Sequence, residues 1–189
     1  MLQPKLLNRL LSVLNDNRID YMVTGSIVSS LQGEPRATHD VDIVIHLAPT
    51  AVPALLKAFS PPLYYLSENS IKEAIINKSM FNLIDTKEGD KVDFWILTDE
   101  EFDQSRFERK IEEEIFGYKM KISQPEDTIL AKLKWATMSG GSEKQFTDAL
   151  RVYEVQYGKL DLNYLKNWVA KLNVDDLWHQ LESEAKPIE

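Results

Sequence analysis

The chain has 189 residues, 43% of them hydrophobic and 28% charged, with a formal net charge of −8 and no cysteine. That length supports one domain with a sizeable core, or a domain with a helical extension, and the lack of cysteine excludes disulfides, thiolate zinc sites and a cysteine nucleophile. No apolar run approaches the roughly 20 residues of a membrane helix and no signal-peptide pattern opens the chain, so a cytoplasmic location without a membrane partner is expected.

The acid excess is spread along the chain and no long basic tract occurs, which argues against bulk nucleic-acid binding through phosphates. It does not argue against a nucleotide carried by metal ions.

Taken in chain order, Leu6, Leu7, Leu10, Leu11 and Leu14 recur at helical spacing and predict an amphipathic helix over 2–14. Tyr21-Met22-Val23 reads as a short strand ending at Thr24-Gly25-Ser26, with a helix beginning in the small-residue stretch 27–31. Residues 40–47 alternate and predict a strand. Pro49 opens a helix to Phe59, which Pro61-Pro62 stops. A short strand at 63–66 and a short helix at 69–77, capped by Ser70 or Asn69, follow. Residues 80–85 and 92–97 flank a polar hairpin loop. Residues 99–115 read as a charged helix with acids in its first turn, and 118–122 as a half-exposed strand.

From Gln124 the character changes. Pro125-Glu126-Asp127 opens the first of four helices that run to about Glu184, with Gly140-Gly141-Ser142 breaking the first two. The expected fold class is therefore α+β, a mixed and mostly antiparallel sheet with flanking helices over 1–123, followed by a helical portion over 124–189.

The chemistry concentrates in RATHDVDIVI, residues 36–45. On a strand, Asp40 and Asp42 share one face with Val44 and His46, while Val41, Ile43 and Ile45 take the other. The two carboxylates then lie roughly 6–7 Å apart and repel unless a cation sits between them. Such a pair suits Mg²⁺ or Mn²⁺, which prefer oxygen ligands and are commonly held by one or two carboxylates plus substrate phosphates. Asp93 is the lone acid in the apolar strand Val92-Asp93-Phe94-Trp95-Ile96 and needs a partner if buried. A strand paired beside 40–45 would bring it to the other two. Gly25-Ser26 stands where a strand gives way to a helix, a place where backbone N–H groups can meet phosphate oxygens.

In this order, Gly25-Ser26, Arg36-x-Thr38-x-Asp40-x-Asp42 and a distal Asp93 resemble the DNA polymerase β-like nucleotidyltransferase superfamily. The likeness spans roughly residues 19–135 and is strongest to small bacterial and archaeal members, including the abortive-infection toxin-type enzymes. It implies that Gly25 and Ser26 grip the triphosphate of an NTP such as ATP, with Arg36 and Thr38 beside it. It implies that Asp40 and Asp42 bind both metal ions, and that Asp93 binds the second and helps deprotonate the acceptor hydroxyl. Lys132 and Asp148 match a Lys and Asp that the toxin-type members carry on later helices, and Lys132 enters as a nucleotide contact. The Arg-rich surroundings of those toxins are absent. The implied reaction moves a nucleoside monophosphate from an NTP to an RNA, protein or small-molecule acceptor.

Plainer readings stand beside these. An isolated Asp-x-Asp is most often a solvated strand start, Asp93 an edge acid paired with a lysine, and Lys132 the solvated side of its helix. His39 and His46 read as structural, and Trp168 and Trp178 as core packing. The competing classes are a non-catalytic nucleotidyltransferase-fold protein that binds a partner protein, of toxin–antitoxin or regulatory type, and a metal-dependent phosphohydrolase. A complete set of three aspartates favours an enzyme over the binding protein, and the Gly25-Ser26 turn with the absence of histidine ligands speaks against the phosphohydrolase.

Overall fold

A computed structural model describes residues 4–35, 40–115 and 117–187. Within it the chain divides into two compact units, Met1–Thr24 with Ala37–Ile122, and Gly25–Arg36 with Ser123–Glu189.

The first unit is built on a seven-stranded sheet of order β3-β4-β5-β2-β1-β7-β6. Its strands are β1 (Asp20–Thr24), β2 (Asp40–His46), β3 (Tyr64–Leu66), β4 (Met80–Asp85), β5 (Lys91–Ile96), β6 (Ile111–Ile115) and β7 (Tyr118–Ile122). Pairs β1–β2, β3–β4, β4–β5 and β6–β7 are antiparallel, whereas β2–β5 and β1–β7 are parallel. The sheet is thus mixed and mostly antiparallel, as the alternating segments and the 80–97 hairpin foretold.

One sheet face is apolar. Val23, Ile43, Phe94 and Phe81 form a registered row across four strands, and Val41, Val92 and Leu83 form the next. All seven are buried, and Phe81 stacks on Phe94 at 4.8 Å between ring centroids. Helix α1 (Pro4–Asp16) buries all five of its predicted leucines and contacts β1 and α3 (Val52–Ala58). At about 1.5–3 kcal/mol per fully buried leucine, that stripe contributes far more than helix propensity does. A one-turn 3-10 segment, Pro49–Ala51, leads into α3. Helix α4 (Glu68–Asn77) is capped by Ser67, whose side chain accepts from the Ser70 N–H, so the cap lies two or three residues before the one expected.

One expected element divides. Residues 99–115 do not form a single helix: α5 (Glu101–Glu108) ends at Arg109, and Ile111–Ile115 pairs with β7 as a hairpin. Glu112 and Glu114 fall opposite Lys121 and Lys119 there. Cross-strand partners of opposite charge outweigh the helix propensity of Glu-Glu-Glu.

The second unit gathers α2 (Gly25–Gln32), α6 (Pro125–Met138), α7 (Glu143–Gln156), α8 (Leu162–Leu172) and α9 (Asp175–Glu184). The four late helices stand where their apolar stripes predict, and Trp168 and Trp178 are buried as packing residues. Helix α6 is buried all round over residues 126–130, while Trp135, Thr137 and Met138 near its end are exposed. Asp127 in its first turn accepts from the Tyr164 hydroxyl at 2.6 Å, and Glu126 accepts from the Asp161 N–H at 2.9 Å. Gly33, just beyond α2, lies against the α7 backbone: a Cβ there would come within 2.8 Å of the Val152 nitrogen.

Candidate active site

The other face of the sheet carries a polar row. Thr24 pairs with Asp42, Asp42 with Asp93, and Asp93 with Asn82, across β1, β2, β5 and β4. Registered residues project to the same face from strands about 4.8 Å apart, so Asp42 and Asp93 stand side by side. Asp40 and Lys91, paired with each other, form the next row on that face. On the far side of the polar row, Met22, Val44, Leu97 and Phe107 cluster with Trp95 packed against them. The aspartates therefore sit where an apolar cluster gives way to a more open strand end.

Asp93 is only 9% exposed. Both of its carboxylate oxygens have partners: the Asn82 side-chain amide donates to Oδ1, and the Lys91 ammonium lies 3.0 Å from Oδ2. Those bonds answer the requirement that a buried carboxylate be paired. Asp42 Oδ1 accepts from the Trp95 indole N–H at 3.3 Å. The hydrogen bond to Asp93, reinforced by the fields of Asp93, Asp40 and Asp42, holds the Lys91 ammonium above the ordinary lysine range against a smaller effect of burial.

Carboxylate oxygens with no sulfur ligand suit a hard divalent ion of the Mg²⁺ or Mn²⁺ kind, which one or two carboxylates and substrate phosphates can hold. Asp42 and Asp93 supply such a pair, with Asp40 two residues away on the same face. Among the described residues, no three His, Asp or Glu side chains are gathered into a ready metal cluster. Asp93 and Asp42 are instead turned to Lys91, Asn82 and Trp95.

In the helical unit, Gly25 has φ +71°, a left-handed conformation that glycine adopts without a Cβ penalty. It follows Thr24, the β1 partner of Asp42, directly in the chain. Ser26 lies in the first turn of α2, and its carbonyl accepts from the Ser29 hydroxyl at 3.2 Å. Arg36 and Thr38 lie outside the described residues, as does His39. His46 is exposed at the end of β2, opposite Asp20.

Lys132 does not occupy a solvated helix face. It is 4% exposed, and its ammonium donates to Asp148 Oδ2 at 2.7 Å. The Ser29 hydroxyl donates to the same oxygen at 3.4 Å.

Asn82, Lys91 and Trp95 were given no role by the sequence, although their signals were present. Lys91 and Trp95 are two residues either side of Asp93 and so share its face. Asn82 becomes its cross-strand neighbour once the 80–97 hairpin is put in register.

Neither a protein-family model nor a curated protein matches the sequence. Solved structures do match in fold. An antigenic nucleotidyltransferase-like protein from Paracoccidioides brasiliensis aligns over 96% of this chain and 93% of its own, with 20% identity and a TM-score of 0.53. The chain has a nucleotidyltransferase fold. The antibiotic-resistance factor ANT(2'')-Ia aligns over 95% of this chain and 94% of its own, with 11% identity and a TM-score of 0.55. The same factor in complex with adenylyl-2''-tobramycin gives 95% and 96% coverage, 12% identity and a TM-score of 0.52.

Proposed function

We propose that the chain is a metal-dependent nucleotidyltransferase that moves a nucleoside monophosphate from an NTP to a hydroxyl of an RNA, protein or small-molecule acceptor. One observation carries this reading: Asp42 and Asp93 are registered neighbours on parallel strands, with Asp40 on the same face, in a nucleotidyltransferase fold. The bond formed joins the acceptor oxygen to the α-phosphorus, and the bond broken releases pyrophosphate.

In this reading Asp40, Asp42 and Asp93 hold Mg²⁺ or Mn²⁺. The bound cation supplies charge neutralisation of the triphosphate and of the departing pyrophosphate. Asp93 accepts the acceptor hydroxyl proton. Gly25 and Ser26 hold phosphate oxygens, with Arg36 and Thr38 on the nucleotide side; Lys132, buried against Asp148, is left out of the nucleotide contacts. The rigid strands fix the carboxylates, so the protein contributes chiefly positioning and electrostatics.

The test incubates the protein with each α-labelled NTP, Mg²⁺ or Mn²⁺, and RNA, protein and small-molecule acceptor pools. ATP with a hydroxyl-rich aminoglycoside is the first arm, because a fold neighbour was solved with adenylyl-2''-tobramycin. Label transfer with pyrophosphate release, lost in Asp42→Asn, is the expected result. No pyrophosphate from any NTP overturns the reading.

A second reading, a non-catalytic protein of this fold that binds a partner, is favoured by the engagement of both Asp93 oxygens with Lys91 and Asn82. A protein that binds NTP and metal yet never releases pyrophosphate would establish it.

A further inference from the structure

Lys91 holds an unusual place among the residues of the carboxylate face. It is registered opposite Asp40 on one side, and it precedes Asp93 by two residues on its own strand. Its ammonium lies 3.0 Å from Asp93 Oδ2, the oxygen that the Asn82 amide leaves available. The Lys91 side chain is 36% exposed and that of Asp93 only 13%, so the stem reaches from the open end of the strands inward to the carboxylate. Three aspartates on one sheet face would repel strongly if no cation were present. The ammonium relieves that repulsion from within the chain.

We infer that Lys91 is a resident counter-cation which a divalent metal must displace from Asp93, so that this lysine sets the metal affinity of the site. The inference rests on the metal-dependent reading above. An ammonium and a divalent cation cannot share one carboxylate oxygen without mutual repulsion. A lysine stem with four carbons can swing its charge away, and phosphate oxygens arriving with a nucleotide offer it a new partner. Metal loading is then coupled to nucleotide arrival: the free protein holds Asp93 closed on Lys91, and the triphosphate draws Lys91 off it. The same arrangement accounts for three aspartates sharing a face without forming a ready cluster.

The test measures Mn²⁺ binding by the electron paramagnetic resonance of the free ion, without nucleotide, for the wild type, Lys91→Met, Lys91→Arg and Asp42→Asn. Lys91→Met keeps the stem and removes the charge, and it is expected to bind Mn²⁺ about tenfold or more tightly than wild type, as one repelling charge is lost. Lys91→Arg restores the cation and should return affinity to within about threefold of wild type, which loss of strand packing alone would not do. If the methionine weakens the strand, Lys91→Gln gives the same comparison with a neutral donor. Mn²⁺ binding that needs Asp42 but is not tightened in Lys91→Met or Lys91→Gln overturns the role of Lys91 and leaves the transferase reading standing. Absence of Mn²⁺ binding from wild type and Lys91 variants alike also overturns the role of Lys91, whereas the transferase reading falls only if no NTP yields pyrophosphate.

Discussion

Asp42 and Asp93 are separated by fifty-one positions in sequence yet are direct neighbours on parallel strands β2 and β5, in a row that continues to Thr24 and Asn82. A pair so placed costs repulsion unless a cation shares it. Mg²⁺ or Mn²⁺ together with an NTP should therefore raise the melting temperature, since a ligand that binds only the native state stabilises it. Asp42→Asn should abolish that shift and leave metal-free stability unchanged or slightly higher. Differential scanning fluorimetry across NTPs and metals measures both, and an undiminished shift in Asp42→Asn would remove Asp42 from the site.

Trp95 offers an optical report on the same carboxylate, because its indole N–H donates to Asp42 Oδ1. Paramagnetic Mn²⁺ at Asp42 should quench a fraction of the tryptophan emission. Trp95→Phe should lose most of that quenching while the other tryptophans still emit. Equal quenching in wild type and variant would mean that the ion binds elsewhere.

Lys132 and Asp148 form a buried ion pair between α6 and α7, with side chains 6% and 8% exposed. Removing one partner leaves an uncompensated buried charge, so Asp148→Ala should cost about 3–5 kcal/mol. Replacing both by apolar residues of similar volume should cost much less than the sum of the single changes. Urea denaturation of the four members of this cycle decides it; additive losses would show that the pair is not coupled.

Gly33→Ala places a methyl group against main-chain atoms of α7, 2.8 Å from the Val152 nitrogen and 2.9 Å from the Arg151 carbonyl carbon. Backbone cannot yield as a flexible side chain does, and a loss of about 1–3 kcal/mol is expected from overpacking. Thermal or chemical unfolding reads it, and a neutral result would mean that the α2–α7 approach relaxes freely.

Burial disfavours ionised Asp20, but hydrogen bonds from Lys121 at 2.7 Å and from Lys110, with their charges, outweigh it and hold the carboxyl below its usual value. A depressed native pKa means that the stabilisation is fully present above the unfolded value of about 3.9 and is lost as pH falls through the native one. The stability difference between wild type and Asp20→Asn should therefore be constant near neutrality and shrink in the acid range. A difference independent of pH down to the acid limit would show that the lysines do not favour the charged form.

Much of the sheet was legible because burial on one face writes alternation into the sequence: Val41, Ile43 and Ile45 and Phe81 and Leu83 are all buried. The carboxylate pair on β2 was legible for the same reason, since residues two apart must share a face. The proximity of Asp93 depended on which strands pair, which periodicity does not encode; the order of motifs supplied it. Residues 111–115 were misread because their strand state depends on lysines of β7 across a turn. The burial of Lys132 was hidden because its partner lies sixteen residues on, in another helix. The grouping of α2 with the late helices was likewise invisible, since its contacts are made by residues far along the chain.

That last separation has a consequence during synthesis. The Ser29 hydroxyl waits for Asp148 across 119 residues, and the Gln32 amide waits for the Ser123 carbonyl across 91. At about 5–20 residues per second, α2 is synthesised roughly 5–25 s before these partners exist. The segments of β2 to β7 are made in that interval. The strands bearing Asp42 and Asp93 can therefore pair before the helical unit has the residues needed to close around α2, and a ribosome stalled near residue 123 would carry a chain with all its strands and an unpartnered α2.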